Sequence, residues 1–141
     1  MQITLTRTST PTPTPTDMPT QACWFASIHK VAQSAGLEAG MNALPAPMTV
    51  FEADLVGNPI GRSWTVSEGA CGFAWVTFAG NTPWGRWAKA QGIASKGYPK
   101  GLQIWVSEFN QSVERKEAYA QAYAKVLREH GIEAYAHSRL D

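Results

Sequence analysis

The side chains that could do chemistry are few and scattered. Cys71 together with His29, His130 or His137 could form a thiol nucleophile and its base, because a neighbouring imidazole generates the reactive thiolate. The stretch Gly69-Ala-Cys-Gly-Phe-Ala-Trp-Val76 has strand character, however, and a free cysteine in such a setting is more often a small buried hydrophobe. Neither the cysteines nor the histidines stand at zinc-ligand spacing. Asp54, Glu68, Glu108 and Asp141, with His137, are the groups from which a metal-dependent hydrolytic or phosphotransfer centre would have to be assembled. No P-loop, nucleophile elbow or HExxH helix occurs, and no cofactor is implied.

A second chemistry is stacking with phosphate contact. Trp84, Arg86, Trp87, Lys89, Lys96, Tyr98 and Lys100 interleave aromatic and basic residues, and no acidic residue lies between Glu68 and Glu108. Single-strand nucleic-acid binders use this composition. Four cations are few for that task, and in a chain with six tryptophans Trp84 and Trp87 fit better as helix anchors or as contacts to a neighbouring subunit. The tail His137-Ser-Arg-Leu-Asp141 is expected at the rim of a sheet, with Leu140 plugged into the body and Arg139 paired to a carboxylate.

The chain of 141 residues supports one domain with a core of its own. Its net charge of +1 gives no overall attraction to nucleic acid or membranes. Cys23 and Cys71, far apart in apolar surroundings, suit buried reduced thiols better than a disulfide framework. No apolar run reaches a membrane span and no signal-peptide core opens the chain, so a soluble, unexported protein without a membrane partner is expected.

The elements that must position these residues follow from periodicity and punctuation. Residues 1–7 alternate Ile3 and Leu5 with threonine, a short strand in need of a partner, and residues 8–19 carry Pro11, Pro13 and Pro15 in an extended arm. Thr20 caps a helix through Ala35, with Trp24, Ile28, Val31 and Ala35 as its stripe, Gly36 as its stop and residues 37–47 as a loop. A compact body is expected from Met48 to Asp141, with strand character at 48–56 and 64–66 around turn residues at 57–61. Within it come a strand at 71–79, a helix from the Thr82 cap with Pro83 at its first position, and a strand from Leu102. A helix capped by Asn110 or Ser112 and stopped by Gly131 follows, then a last strand from Ile132. The fold class is α/β in the α+β sense. One small domain has a sheet covered by helices, a strand-helix-strand-helix-strand C-terminal half with right-handed crossovers, and an extended N-terminal arm.

The strings Gly69-Ala-Cys-Gly-Phe-Ala-Trp-Val76, Asn81-Thr82, Asn110-Gln-Ser-Val-Glu-Arg-Lys-Glu-Ala-Tyr-Ala120 and Ala134-Tyr-Ala-His-Ser-Arg-Leu-Asp141 resemble a family of small uncharacterised proteins of tailed bacteriophages. The resemblance implies a viral origin and brings no mechanism; residues 1–47 look like an addition outside the shared part. With no catalytic constellation, the expected function is that of a non-enzymatic virion protein, a head decoration or cement protein assembled in the host cytoplasm. Ile3, Leu5, Pro11, Pro13, Pro15, Trp84 and Trp87 would contact other virion proteins, the major capsid protein foremost, or further copies of the chain. The alternative is an intracellular accessory protein, either a metal-dependent enzyme or a nucleic-acid binder using Arg86, Lys89, Lys96, Tyr98 and Lys100.

Overall fold

The computed structural model describes residues 18–141 apart from 67 and 98. Their elements are α1 (Met18–Asn42), β1 (Met48–Ala53), β2 (Pro59–Val66), β3 (Gly72–Phe78), α2 (Pro83–Ala90), β4 (Ser95–Lys96), β5 (Leu102–Trp105), α3 (Val113–Glu129) and β6 (Tyr135–Leu140). β1 and β2 make a separate antiparallel hairpin, and the other strands form one sheet in the order β4-β5-β3-β6. Every pairing in that sheet is antiparallel. The expected α+β domain with its alternating C-terminal half is therefore present. Its two helical connections, through α2 and α3, are crossovers between parallel strands, and β4 runs parallel to β3 with β5 between them. β5 and β6 run parallel to each other and are joined through α3, but β3 lies between them, which makes the chain from β3 onward a split β-α-β-β-α-β arrangement.

Local chemistry sets the helix boundaries. Thr82 caps α2 by accepting the Gly85 N–H at 3.0 Å, with Pro83 in the first turn where its missing donor costs nothing. Ser112, not Asn110, caps α3; Asn110 instead adopts φ 50° in the turn before it. Gly131, at φ 79°, ends that helix in the left-handed conformation glycine tolerates.

α1 departs most from expectation. It does not stop at Gly36 but continues through Gly40 to Asn42, so part of the expected loop is helix. Both glycines are buried, and a Cβ built on Gly36 would lie 2.8 Å from Cδ2 of Tyr119. A Cβ on Gly40 would overlap the Phe109 ring. With Ala32 they form the small-residue surface on which Tyr119 of α3 and Phe109 of the turn before it lie; the glycines give close approach rather than termination. Val31, expected on the buried stripe, is 54% exposed, whereas Phe25, Ile28 and Ala32 enter the core. α1 is thus part of the body, which begins well before Met48.

Phe25, Phe78, Trp84 and Trp87 knit α1, α2 and β3 together, with Trp84 edge-on to both phenylalanines at 5.5 and 5.7 Å. Against α3, His29 Nδ1 lies 2.6 Å from the Tyr123 hydroxyl. Burial pushes the Tyr119 phenol up to about 12 and raises Tyr123 further, so both are neutral. Burial also lowers the pKa of His29.

The hairpin makes its main contacts within itself and is clamped at its base. Arg115, on the first turn of α3, forms a bidentate pair with Glu68 at 2.7 and 3.2 Å. Its other nitrogen donates to the Gly40 and Met41 carbonyls at 2.8 and 3.0 Å, satisfying the end of α1. Glu114 accepts the Ala46 N–H on the opposite leg at 2.9 Å. Hydrogen bonding to Arg115, and then its charge, hold the Glu68 carboxyl below its ordinary pKa.

Two outcomes follow for stability. Gly36→Ala gains helix propensity but drives a methyl into Tyr119, and should lose about 1–3 kcal/mol in urea unfolding, while Ser34→Ala on the exposed face stays within about 0.5 kcal/mol. For His29 the folded pKa is below the unfolded one, so the unfolded chain binds more protons as pH falls. Its stabilisation is complete above about pH 6.5 and is lost as pH drops through the lowered folded value. Urea midpoints measured from about pH 7.5 down to about pH 5 should fall less steeply for His29→Gln than for the unaltered chain; superimposable slopes would remove His29 from this role.

Candidate functional site

Among the described residues α2 and α3 pack on one side of the four-stranded sheet, and α1 lies over them on that same side. Strand alternation turns Ala74, Val76 and Phe78 of β3 toward them and Phe73, Trp75 and Thr77 away. Paired residues share a face, so the register extends this second set sideways. Trp105, Trp75 and His137 form one row across β5, β3 and β6; Gln103, Thr77 and Tyr135 form the next. Arg139 stands opposite Phe73, and Ser95 continues the Gln103 row onto β4.

These side chains make a stacked surface. Trp75 and Trp105 have centroids 4.9 Å apart, and His137 lies 5.7 Å from Trp75 at an interplanar angle of 19°. Phe73 meets Trp105 edge-on at 6.1 Å. The His137 ring is held by the Thr77 hydroxyl, 2.8 Å from Nε2. Trp105 is 43% exposed and Tyr135 51%, values far from those of core aromatics such as Trp84 at 2%.

Cations sit on the phenylalanine. The Arg139 guanidinium is 5.4 Å and the Lys116 ammonium 5.6 Å from the centre of the Phe73 ring, both within cation–π range. Lys116 is buried and donates to the Gly72 carbonyl at 3.4 Å, a charge fixed at the edge of the face. The open-face positions of β3 to β6 hold no carboxylate. The surface is therefore flat, aromatic and cationic at one end. It can stack planar rings and attract anions.

The residues expected to act from the sequence lie elsewhere. Trp84 is buried in the core and Trp87 packs half-buried against Phe25 and His29, the placement expected of helix anchors. Arg86 donates to the Asn81 carbonyl at 3.1 Å, while Lys89 on α2, Lys96 on β4 and Lys100 before β5 are exposed and separated from those tryptophans. Tyr98, Ile3, Leu5, Pro11, Pro13 and Pro15 lie outside the described residues.

Cys23 and Cys71 are both exposed free thiols, not buried ones, because Cys71 precedes the first fully paired residue of β3. Of the acids, Glu68 serves Arg115 and Glu108 accepts the Ser107 N–H at 3.1 Å. Asp54 closes its own turn by accepting the Val56 and Asn58 N–H groups at 3.0 and 2.9 Å. Among the described residues no three His, Cys, Asp or Glu side chains converge on a metal position. The tail also differs from expectation. β6 is an edge strand, and Leu140, instead of plugging the body, is 68% exposed opposite Gly72. Arg139 meets the Phe73 ring rather than a carboxylate.

Phe73, Trp75, Trp105, Gln103 and Tyr135 were missed by the sequence reading. Their signal was parity: Phe73 and Trp75 alternate with Ala74 and Val76, and Trp105 with Ile104. Because both sets are apolar, periodicity alone cannot say which faces water.

Trp105→Ala should cost about 0.5–1.5 kcal/mol through its ring contacts and remove part of the acrylamide-accessible tryptophan emission, the exposed Trp64 keeping the rest, whereas Trp84→Ala should cost about 3–5 kcal/mol. Compared with protein-family models, curated proteins and solved structures, the chain matches none, so the meaning of this face rests on its geometry.

Proposed function

We propose that the chain binds single-stranded nucleic acid on the open face of its four-stranded sheet. The observation that carries this reading is the placement of Phe73, Trp75 and Trp105 on the two central strands, uncovered by any helix among the described residues and next to Arg139. Unpaired bases stack on aromatic side chains of a four-stranded sheet, and arginine supplies phosphate contact and further stacking. Topology by itself would not support the assignment, since one fold hosts many functions; the ring geometry and the acid-free face support it. Duplex nucleic acid fits poorly, because its bases are already stacked and paired.

The expected virion role rests on residues 1–19 and on Trp84 and Trp87. The arm lies outside the described residues, while Trp84 is buried and Trp87 packs half-buried against Phe25. The nucleic-acid alternative moves accordingly, from the basic stretch at 86–100 to β3, β5 and β6.

Titration of the full chain with short oligo(dT) and oligo(rU), read by tryptophan quenching, should show salt-sensitive binding that duplex DNA does not compete away. Trp75→Ala and Trp105→Ala should each weaken it by about tenfold, and Arg139→Ala should reduce the salt slope by about one. Unchanged affinity in both tryptophan variants, or no binding at low salt by the unaltered chain, would overturn the proposal.

A further inference from the structure

The second row of the open face, Gln103-Thr77-Tyr135, runs off the end of β3 into a cleft of about 860 Å³. Thr77 and Tyr135 belong to both surfaces, and Asn81, Thr82, Lys100 and Glu133 complete the polar lining. Thr77 is two residues along β3 from Trp75, about 7 Å, so a strand stacked on Trp75 and continuing along β3 delivers its next nucleotide here.

The chemistry of the cleft differs from that of the platform. Lys100 is exposed at its rim and available to a phosphate. The α2 N-terminus contributes little, since Thr82 already takes the Gly85 N–H and Pro83 has none. Glu133 is the distinctive group. Tyr135 donates to its Oε1 at 2.8 Å, which fixes the carboxylate at the cleft wall, and its presence raises the tyrosine pKa so that the phenol stays a donor. A carboxylate has about four acceptor sites, so one tyrosine leaves room for further donors. An acidic group beside a phosphate path opposes the backbone unless it meets hydrogen-bond donors of a base. Guanine alone presents two adjacent N–H groups, at N1 and N2, to a single carboxylate. Thymine and uracil present one N–H between two carbonyl oxygens, which a carboxylate repels.

We propose that this cleft is the base-reading subsite of the strand-binding surface and that Glu133 selects guanine in it, with Lys100 meeting the adjoining phosphate. The inference rests on the strand-binding reading above and deepens it. The platform stacks any base; the cleft supplies preference.

The test titrates the full chain with a thymidine heptamer and with the same heptamer carrying one guanine, placed at each position in turn. The guanine oligomers should bind about tenfold more tightly in the best position, because a bidentate contact discriminates on that order. Glu133→Gln should bring the two oligomers to equal affinity, with the thymidine heptamer held at least as tightly as by the unaltered chain because the charge opposing the backbone is gone. Lys100→Ala should weaken both oligomers equally and lower the salt slope by about one. Equal affinity for the two oligomers, or a guanine advantage that survives Glu133→Gln, overturns the cleft proposal while the platform stands. Absence of binding by either oligomer overturns the strand-binding reading itself.

Discussion

The structure depends on the close approach of α1 to α3. Two helices packed through ordinary side chains stay about 8–10 Å apart. Here Gly36 and Gly40 remove the obstacle, and Tyr119 and Phe109 occupy the space a Cβ would fill. The long helix therefore lies on α3 and seals the outer side of the helical layer, burying Phe25, Ile28 and Ala32. Phe109 holds φ 66°, unusual for a bulky residue, in the turn that brings its ring to Gly40.

All three helices of the described residues lie on one side of the sheet, so none of them covers the other. α2 reaches the sheet through the Trp84–Phe78 contact and α3 lies along β3 and β6, all on the same face. A sheet with one solvated face normally alternates apolar and polar residues. β3 and β5 instead place Phe73, Trp75 and Trp105 toward water. Contiguous exposed aromatic surface of this kind marks a binding site more often than a structural need.

Arg115 links this body to the hairpin. One guanidinium closes the α1 carbonyls and binds Glu68, and the neighbouring Glu114 holds Ala46, so both legs of the β1-β2 ribbon leave from a fixed point. Beyond that point Leu55 and Val56 are fully in solvent at a turn ordered by Asp54, a projecting apolar tip with a rigid base. Gly69, at φ 75° with the Ala46 carbonyl 2.8 Å from where a Cβ would sit, permits the legs to meet.

The sequence by itself determined what depends on neighbours along the chain. Thr82-Pro83, Ser112 and Gly131 set helix ends through groups within a few residues, the strand at 102–105 was legible from alternation, and that at 72–78 from its β-prone apolar run. It also read the fold class correctly from the order of those elements. Only the tertiary structure decided what depends on residues far apart. Gly36 is a helix stop in isolation and a contact surface once Tyr119 is opposite it, since close approach requires a partner that spacing cannot name. Trp84 read as either a helix anchor or a subunit contact, and it is an anchor because Phe25 and Phe78 arrive from distant elements. The candidate site was hidden for the same reason: with both parities of β3 apolar, the face that meets water was fixed only when three helices docked on the other.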